Sequence, residues 1–384
     1  MPLHFDLQEY AGRVARATDA LEAARLDALL LFAPESQYWL TSYDTFGFAM
    51  FQCMVLGADG EIHLLTRAPD LRQAQQTSTL TDDRIHIWED REGVDPAREL
   101  AALLSHLGLS AKRLGVETDT AGLTARNWDR LRAALADARL EDASNVLRHL
   151  RRRKSPAEVE CHRRAATLSD DALGAALAET RAGAFEGDIL AAMQGAVFRG
   201  GGDYAGNEFI IGSGDAALLC RYQSGRRHLD PQDQMTLEWS GTWRRYHAAM
   251  MRTLVIGEAN DRQKRMHEAA VDALEACETA IRPGARMGDV FEAHARVFDA
   301  HGLSHARLNA CGYGMGAVYN PIWVDFPMFY RGNPLPMHTG NVFFLHMILM
   351  DSEAGLAMCW GHSVLVTEIG VERLSRHPLD LVEC

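Results

Sequence analysis

The spacing of apolar positions changes several times along the chain, and each change marks an element. Leu7, Tyr10, Ala11, Val14, Ala15 and Leu21 recur at helical intervals, so residues 7–24 are predicted to form an amphipathic helix. The unbroken apolar run "DALLLFA" (27–33) predicts a buried strand, and "FAMFQCMVLG" (48–57) predicts another. The turn residues "ADG" close the second run, and "EIHLLT" (61–66) follows as its hairpin partner. Short strands then alternate with helical stretches: "RIHIWED", a helix over 95–107, "RLGVE", a helix over 122–137, and "RLEDAS". Such alternation predicts an α/β domain over residues 1–150.

The texture changes near 155. "SPAEVECHRRAATLSDDALGAALAET" predicts a long helix, with Ser155 as cap, Pro156 in the first turn and Glu158 completing a capping box. "RAGAFEGDI" (181–189) and "RPGARMGDV" (282–290) share Arg, Gly, Ala, Gly and Asp at an offset of 101 residues. A long helical pattern precedes each copy and strands follow each, so residues 151–384 read as a duplicated α+β unit with a cleft between its halves. In the first half, "LEWSGTWRRYHAAMMRT" (237–253) predicts two strands with a bend at Gly241. "VFFLHMILM" (342–350) and "GHSVLVTE" (361–368) are strands of the second half.

Within these apolar strands sit polar residues that are costly to bury: Glu238, His247, His346 and His362. Desolvation raises the pKa of a carboxylate and lowers that of an imidazole, which brings an acid and a base toward neutrality. Glycine-rich "GYGMG" (312–316) has the wrong spacing for a dinucleotide loop and predicts a tight bend with close backbone approach. There is no P-loop, no H-E-x-x-H and no G-x-S-x-G.

Charge and composition narrow the function classes. A net charge of −13 argues against binding nucleic acid nonspecifically, and the basic run "RHLRRRK" (148–154) reads as a solvated hinge face. No apolar run nears the roughly 20 residues needed to span a bilayer, and the N-terminus lacks a signal-peptide core. Seven dispersed cysteines without a C-x-x-C pair point to reduced thiols and the cytoplasm.

"YWLTSYDTFGFAMFQC" (38–53), the junction "RKSPAEVE", "GGDY" (201–204), "EWSGTWRRYHAAMMRT" (238–253), "GYGMGAVYNP" (312–321) and the ending "SVLVTEIGVERL" resemble the creatinase/prolidase/methionine-aminopeptidase family. Within it the chain looks nearest to the ectoine hydrolase members. The resemblance implies a pita-bread catalytic domain behind the α/β domain. It also implies a homodimer, in which "FGFAMFQ" of one N-terminal domain, with Phe46, completes the partner's cleft. Family peptidases hold two metal ions with two aspartates, a histidine and two glutamates. Those positions fall on Glu238, Ala249, a place near Tyr313, His346 and Gly361, a set that cannot hold two metals. A substrate-binding histidine of the peptidases falls near Arg221.

By resemblance to ectoine hydrolase, Glu238 is the candidate nucleophile or base, His247 a proton shuttle or orienter, and Tyr313 a hydrogen-bond donor. His346 joins this catalytic set. Arg221 and Arg252 are candidates for a substrate carboxylate, because the guanidinium fork matches it. Trp323, Phe46, Phe48 and Tyr330 are candidates to box a cation, and His362 to contact substrate. The expected substrate is a small zwitterion, a cyclic amidine or guanidino acid, cleaved at a non-peptide C–N bond with no cofactor and no metal. Two alternatives stay open at this stage. One is a hydrolase with a single metal held by Glu238, His346 and His362, or an Xaa-Pro-peptidase-like enzyme; the other is a catalytically silent binder of a small molecule or protein.

Overall fold

The computed structural model describes residues 3–221 and 225–384. Its internal contacts divide it into two units, Met1–Arg151 and Arg152–Cys384.

The first unit carries a six-stranded sheet in the order β4-β3-β2-β1-β5-β6, where β1 is Ala28–Leu31, β2 Cys53–Gly57, β3 Ile62–Arg67, β4 Ile85–Trp88, β5 Arg113–Val116 and β6 Arg139–Asp142. Around it lie α1 (Leu7–Ala23), α2 (Pro34–Thr41), α3 (Leu71–Thr77), α4 (Pro96–His106), α5 (Ala125–Ala134) and α6 (Ser144–Arg151). The predicted hairpin forms: β2 and β3 are antiparallel, with Cys53 opposite Leu65. The strand predicted from residue 48 starts only at Cys53, because Gly47–Ala49 coil into a short 3₁₀ turn. An apolar run cannot by itself distinguish a strand from a buried turn.

The second unit starts with α7 (Pro156–Glu179), where Ser155 and Glu158 form the predicted capping box. It continues through α8 (Glu186–Arg199), β7 (Ile210–Ser213), β8 (Asp233–Trp243), β9 (Tyr246–Ile256), α9 (Asp261–Ala280), α10 (Met287–Ala300), β10 (Ala310–Gly314), β11 (Asp325–Tyr330), β12 (Val342–Asp351) and β13 (Leu356–Val366). Its large sheet runs β11-β10-β12-β13-β9-β8-β7. Apolar residues of α7 and α8 pack on one half of this sheet and those of α9 and α10 on the other.

The repeat is visible bond by bond. Gly183 and Gly284, equivalent at the offset of 101, both hold positive φ, +80° and +85°. Gly183 N donates to Leu229 O, and Gly284 N donates to Met337 O. Phe185 bridges His228, and Arg286 bridges Pro336. Each motif thus turns a chain out of a long helix, pins it to a returning segment and starts a second helix.

Three local expectations change. The β8–β9 turn is made by Arg244 and Arg245, both at positive φ (51° and 65°), and not by Gly241. Gly241 lies inside β8, where α7 crosses so closely that a Cβ would stand 2.0 Å from Ala165 O. The basic run 148–154 is not a solvated face: Arg151, Arg152 and Lys154 are buried. Arg151 donates to Ser36 Oγ (2.7 Å), and Arg152 to Pro336 O (2.7 Å). Long basic side chains bury when acceptors meet their heads. "GYGMG" is largely the strand β10 rather than a bend, yet the close approach is real, since a Cβ on Gly312 would stand 2.3 Å from Phe344 O.

Gly241→Ala should lower unfolding stability by about 1–3 kcal/mol through overpacking. Gly174→Ala, in mid-α7 with nothing within 4 Å of the added Cβ, should raise it by about 0.5–1 kcal/mol. Urea unfolding of both variants checks the pair.

Candidate functional site

Strand pairing places Glu238 and His346 in one transverse row of the large sheet. Ile210 pairs with Glu238, Glu238 with Met251, Met251 with Gly361, and Gly361 with His346. Paired residues of antiparallel strands point to the same face, and neighbours along a strand point to opposite faces. Tyr313 on β10 closes the gap between the two ends of the row. Its hydroxyl donates to Glu238 Oε1 at 3.3 Å, and its ring lies 5.6 Å from that of His346. Trp323 Nε1 in turn donates to the Tyr313 oxygen at 2.8 Å. Because the indole can only donate, the phenolic proton is left to point at the carboxylate.

These groups line a cavity of about 260 Å³. Its polar lining is Glu238, Arg221, His346, Tyr313, Asn207 and Cys220; Leu308, Ile322, Val324, Met328 and Ile348 make it otherwise apolar. Glu238 is 9 % exposed. Burial pushes its pKa up to about 7, opposed by the Tyr313 hydrogen bond and the positive charge of Arg221. Burial also takes His346 down to about 4, with Arg221 adding to the shift. Burial and the neighbouring carboxylate push the Tyr313 phenol well up, so it acts as a donor and not as an acid. At neutral pH the cavity therefore holds a half-ionised carboxylate, a neutral imidazole and one fixed cation.

Other predicted site residues lie elsewhere. His362 neighbours Gly361 along β13 and so faces the opposite side of the sheet, where its Nε2 meets Glu278 at 2.7 Å. Arg252 neighbours Met251 along β9 and faces that same opposite side. Its guanidinium donates to Met251 O (2.8 Å) and Gly361 O (2.7 Å) and lies 4.9 Å from the Trp360 ring. Neither residue lines the cavity. His247 is four residues along β9 from Met251, about 13 Å at strand rise. Its Nε2 accepts from Gly206 N (2.8 Å), and its Nδ1 faces Gly316 O at 3.4 Å. With burial taking its pKa down to about 4, it is a neutral brace between two loops and not a group facing the cavity. One loop carries Asn207, and the other follows the strand of Tyr313. Phe46 belongs to the first unit, where it is 69 % exposed and packs edge-on against Phe48. Phe48 is buried, and Tyr330 is half-exposed outside the lining of the cavity.

Asn207 and Cys220 were not foreseen. Asn207 Oδ1 accepts from Trp323 N (3.1 Å), and Cys220 is half-buried beside Arg221. The only signal was adjacency, Asn207 to "GGDY" and Cys220 to Arg221, and nothing in residue type marked either.

A two-metal centre does not fit these residues. Among the described residues no three His, Cys, Asp or Glu side chains converge as ligands. The row supplies one carboxylate and one imidazole. Gly361 cannot gain a ligand easily, since a Cβ there would stand 2.4 Å from Leu345 O. Arg221 adds a positive charge that opposes a cation. The three-ligand set Glu238, His346 and His362 is divided between the two faces of the sheet.

Comparison with known proteins agrees with this architecture. Residues 160–368 match the model of metallopeptidase family M24, and residues 13–153 match the creatinase/prolidase N-terminal domain. An uncharacterized hydrolase/peptidase of Sinorhizobium fredii is 28% identical, covering 99% of this chain and 98% of the relative. The ectoine hydrolase of Halomonas elongata is 27% identical over the same shares of both chains. The crystal structure of dipeptidase PepE from Mycobacterium ulcerans superposes with a TM-score of 0.86 at 25% identity, covering 99% of each chain. The pita-bread architecture expected from the sequence is the one found.

The raised pKa of Glu238 has a stability signature. Its folded value lies above the unfolded one, so between about 4.5 and 7 the folded state binds more protons. Stability from this group is full below that window and falls as pH rises through it. Glu238→Gln, neutral at every pH, should gain in melting temperature over the parent as pH rises from 4.5 to 8. A parallel pair of melting curves would contradict the assignment.

Proposed function

The chain belongs to metallopeptidase family M24 and is a hydrolase of that family; on that premise we propose that it cleaves a non-peptide C–N bond in a small zwitterion without a two-metal centre. The observation that carries this reading is the state of Glu238: a carboxylate with a pKa near 7, held by one phenol in a cavity with one guanidinium and no third metal ligand among the described residues. A metal would polarise the scissile group and ionise water in the family's peptidases. Here those tasks fall to protein groups.

A substrate carboxylate meets Arg221 at the exposed side of the cavity, and an electron-poor amidinium or guanidinium carbon faces Glu238. Glu238 Oε1 is engaged by Tyr313, which leaves the second oxygen to react. Its attack forms a C–O bond, and the C–N bond breaks as nitrogen takes a proton. Water then opens the covalent intermediate and restores the carboxylate. Equally, Glu238 as general base would remove a proton from an attacking water. His346, neutral at pH 7, accepts and returns a proton beside it. Apolar walls exclude bulk water and strengthen each of these interactions. The cavity of about 260 Å³ suits a compact molecule, and the full-length similarity to an ectoine hydrolase makes ectoine and its analogues the first substrates to try. Expression as a cytoplasmic homodimer is the setting proposed with this activity.

The full chain should be screened on ectoine, hydroxyectoine, creatine, guanidino acids and Xaa-Pro dipeptides, with and without chelator. Turnover of an amidine or guanidino acid should survive chelation, and Glu238→Gln should lower it by about 10²–10⁴-fold. Loss of activity on chelation with recovery on adding metal, or turnover of dipeptides alone, would refute the reading in favour of a metallopeptidase like its relatives.

The rate should rise with pH through about 7, as Glu238 ionises, and then level off. Tyr313→Phe removes a hydrogen bond that favours the ionised form, so its midpoint should move to higher pH. An unmoved midpoint would assign the titration to another group.

A further inference from the structure

A second cavity, of about 290 Å³, lies between α8 and the segment 203–209. It is lined by Asp203, Tyr204, Glu208, Phe198, Phe209 and Asn207, among others, and none of its described lining residues is basic. Two aromatic rings stand at its edge with much of their surface in water: Tyr204 is 74 % exposed and Phe198 40 %. Their centroids are 4.9 Å apart and their planes are inclined by 67°.

The wall carrying Tyr204 is held from several sides. Gly201 N donates to Phe198 O, Gly202 N to Val197 O and Asp203 N to Thr242 O, each at 2.9 Å. Asp203 Oδ2 accepts from Arg245 N at 3.1 Å, and Gly206 N donates to His247 at 2.8 Å. A pinned loop that presents an aromatic face beside two carboxylates spends little entropy on ordering when a ligand arrives.

We propose that this cavity binds a small organic cation, an alkylammonium or guanidinium group, against the faces of Tyr204 and Phe198 with Glu208 and Asp203 as counter-charges. Aromatic faces attract cations through their quadrupole, and a pair of carboxylates with no basic residue in the same lining adds to that field. The inference stands apart from the hydrolase chemistry, since none of these groups touches Glu238. Asn207 is the shared wall: its Oδ1 accepts from Trp323 N of the first cavity, and its Nδ2 donates to Glu208 O of the second.

Calorimetric or NMR titration of the full chain with tetramethylammonium and methylguanidinium, with tert-butanol as a neutral analogue of similar shape, tests the site. Saturable binding of the cations, in the millimolar range expected of such small probes, should not extend to tert-butanol. Tyr204→Ala and Glu208→Gln, both at exposed positions, should each weaken it about threefold or more with an unchanged melting temperature. Glu238→Gln should leave it intact. Absence of saturation, equal binding of tert-butanol, or binding lost with Glu238 and retained without Tyr204 would each overturn the proposal.

Discussion

A carboxylate withheld from water is the constraint around which the second unit is arranged. Burial alone would hold the Glu238 pKa still higher than it stands. One phenol and one guanidinium oppose that tendency and leave its pKa near 7. Everything that holds those opposing groups therefore bears on that pKa. Trp323 orients Tyr313, Asn207 fixes the Trp323 backbone, and His247 braces the Asn207 loop through Gly206. The chain of support from His247 through Asn207 and Trp323 to Tyr313 is made of neutral groups, so Arg221 is the charge that acts on Glu238 in the cavity lining.

The large sheet keeps its two faces chemically separate. On one, the row through Glu238, Met251, Gly361 and His346 borders the cavity. On the other, Arg252 lies over Trp360, and His362 meets Glu278 on α9. The buried Arg252 cation and the His362–Glu278 hydrogen bond of that second face tie strands to each other and to a helix. Their polarity had suggested chemistry from sequence, but their partners are already provided.

Family membership and site composition point in different directions, and the structure shows how both can be true. The frame of metallopeptidase family M24 is retained over residues 160–368, and that of the creatinase/prolidase N-terminal domain over residues 13–153. Within that frame the row carries Gly361, which has no donor, and His346, a neutral imidazole. Sheet geometry depends on backbone pairing and apolar packing, with which these residues are compatible. The side chains that line the cavity from this row are Glu238 and His346.

Most of the architecture was legible from the order of residues. Helical spacing over 7–21, the capping box at Ser155 and Glu158, and the duplicated Arg-x-Gly-Ala-x-x-Gly-Asp motif are local signals, and each formed what it predicts. Glu238, Tyr313, Trp323, His346 and Arg221 could be named because polar residues in apolar strands, and the family resemblance, single them out. Their convergence on one cavity, and the exclusion of His247, Arg252 and His362 from it, could not. Membership in a row is set by register between strands more than a hundred residues apart, and a shift of one residue moves a side chain to the other face. Sequence by itself thus determined which elements form and which residues are costly to bury. Only tertiary pairing decided which of those residues share a cavity with Glu238 and which spend their hydrogen bonds on holding the fold.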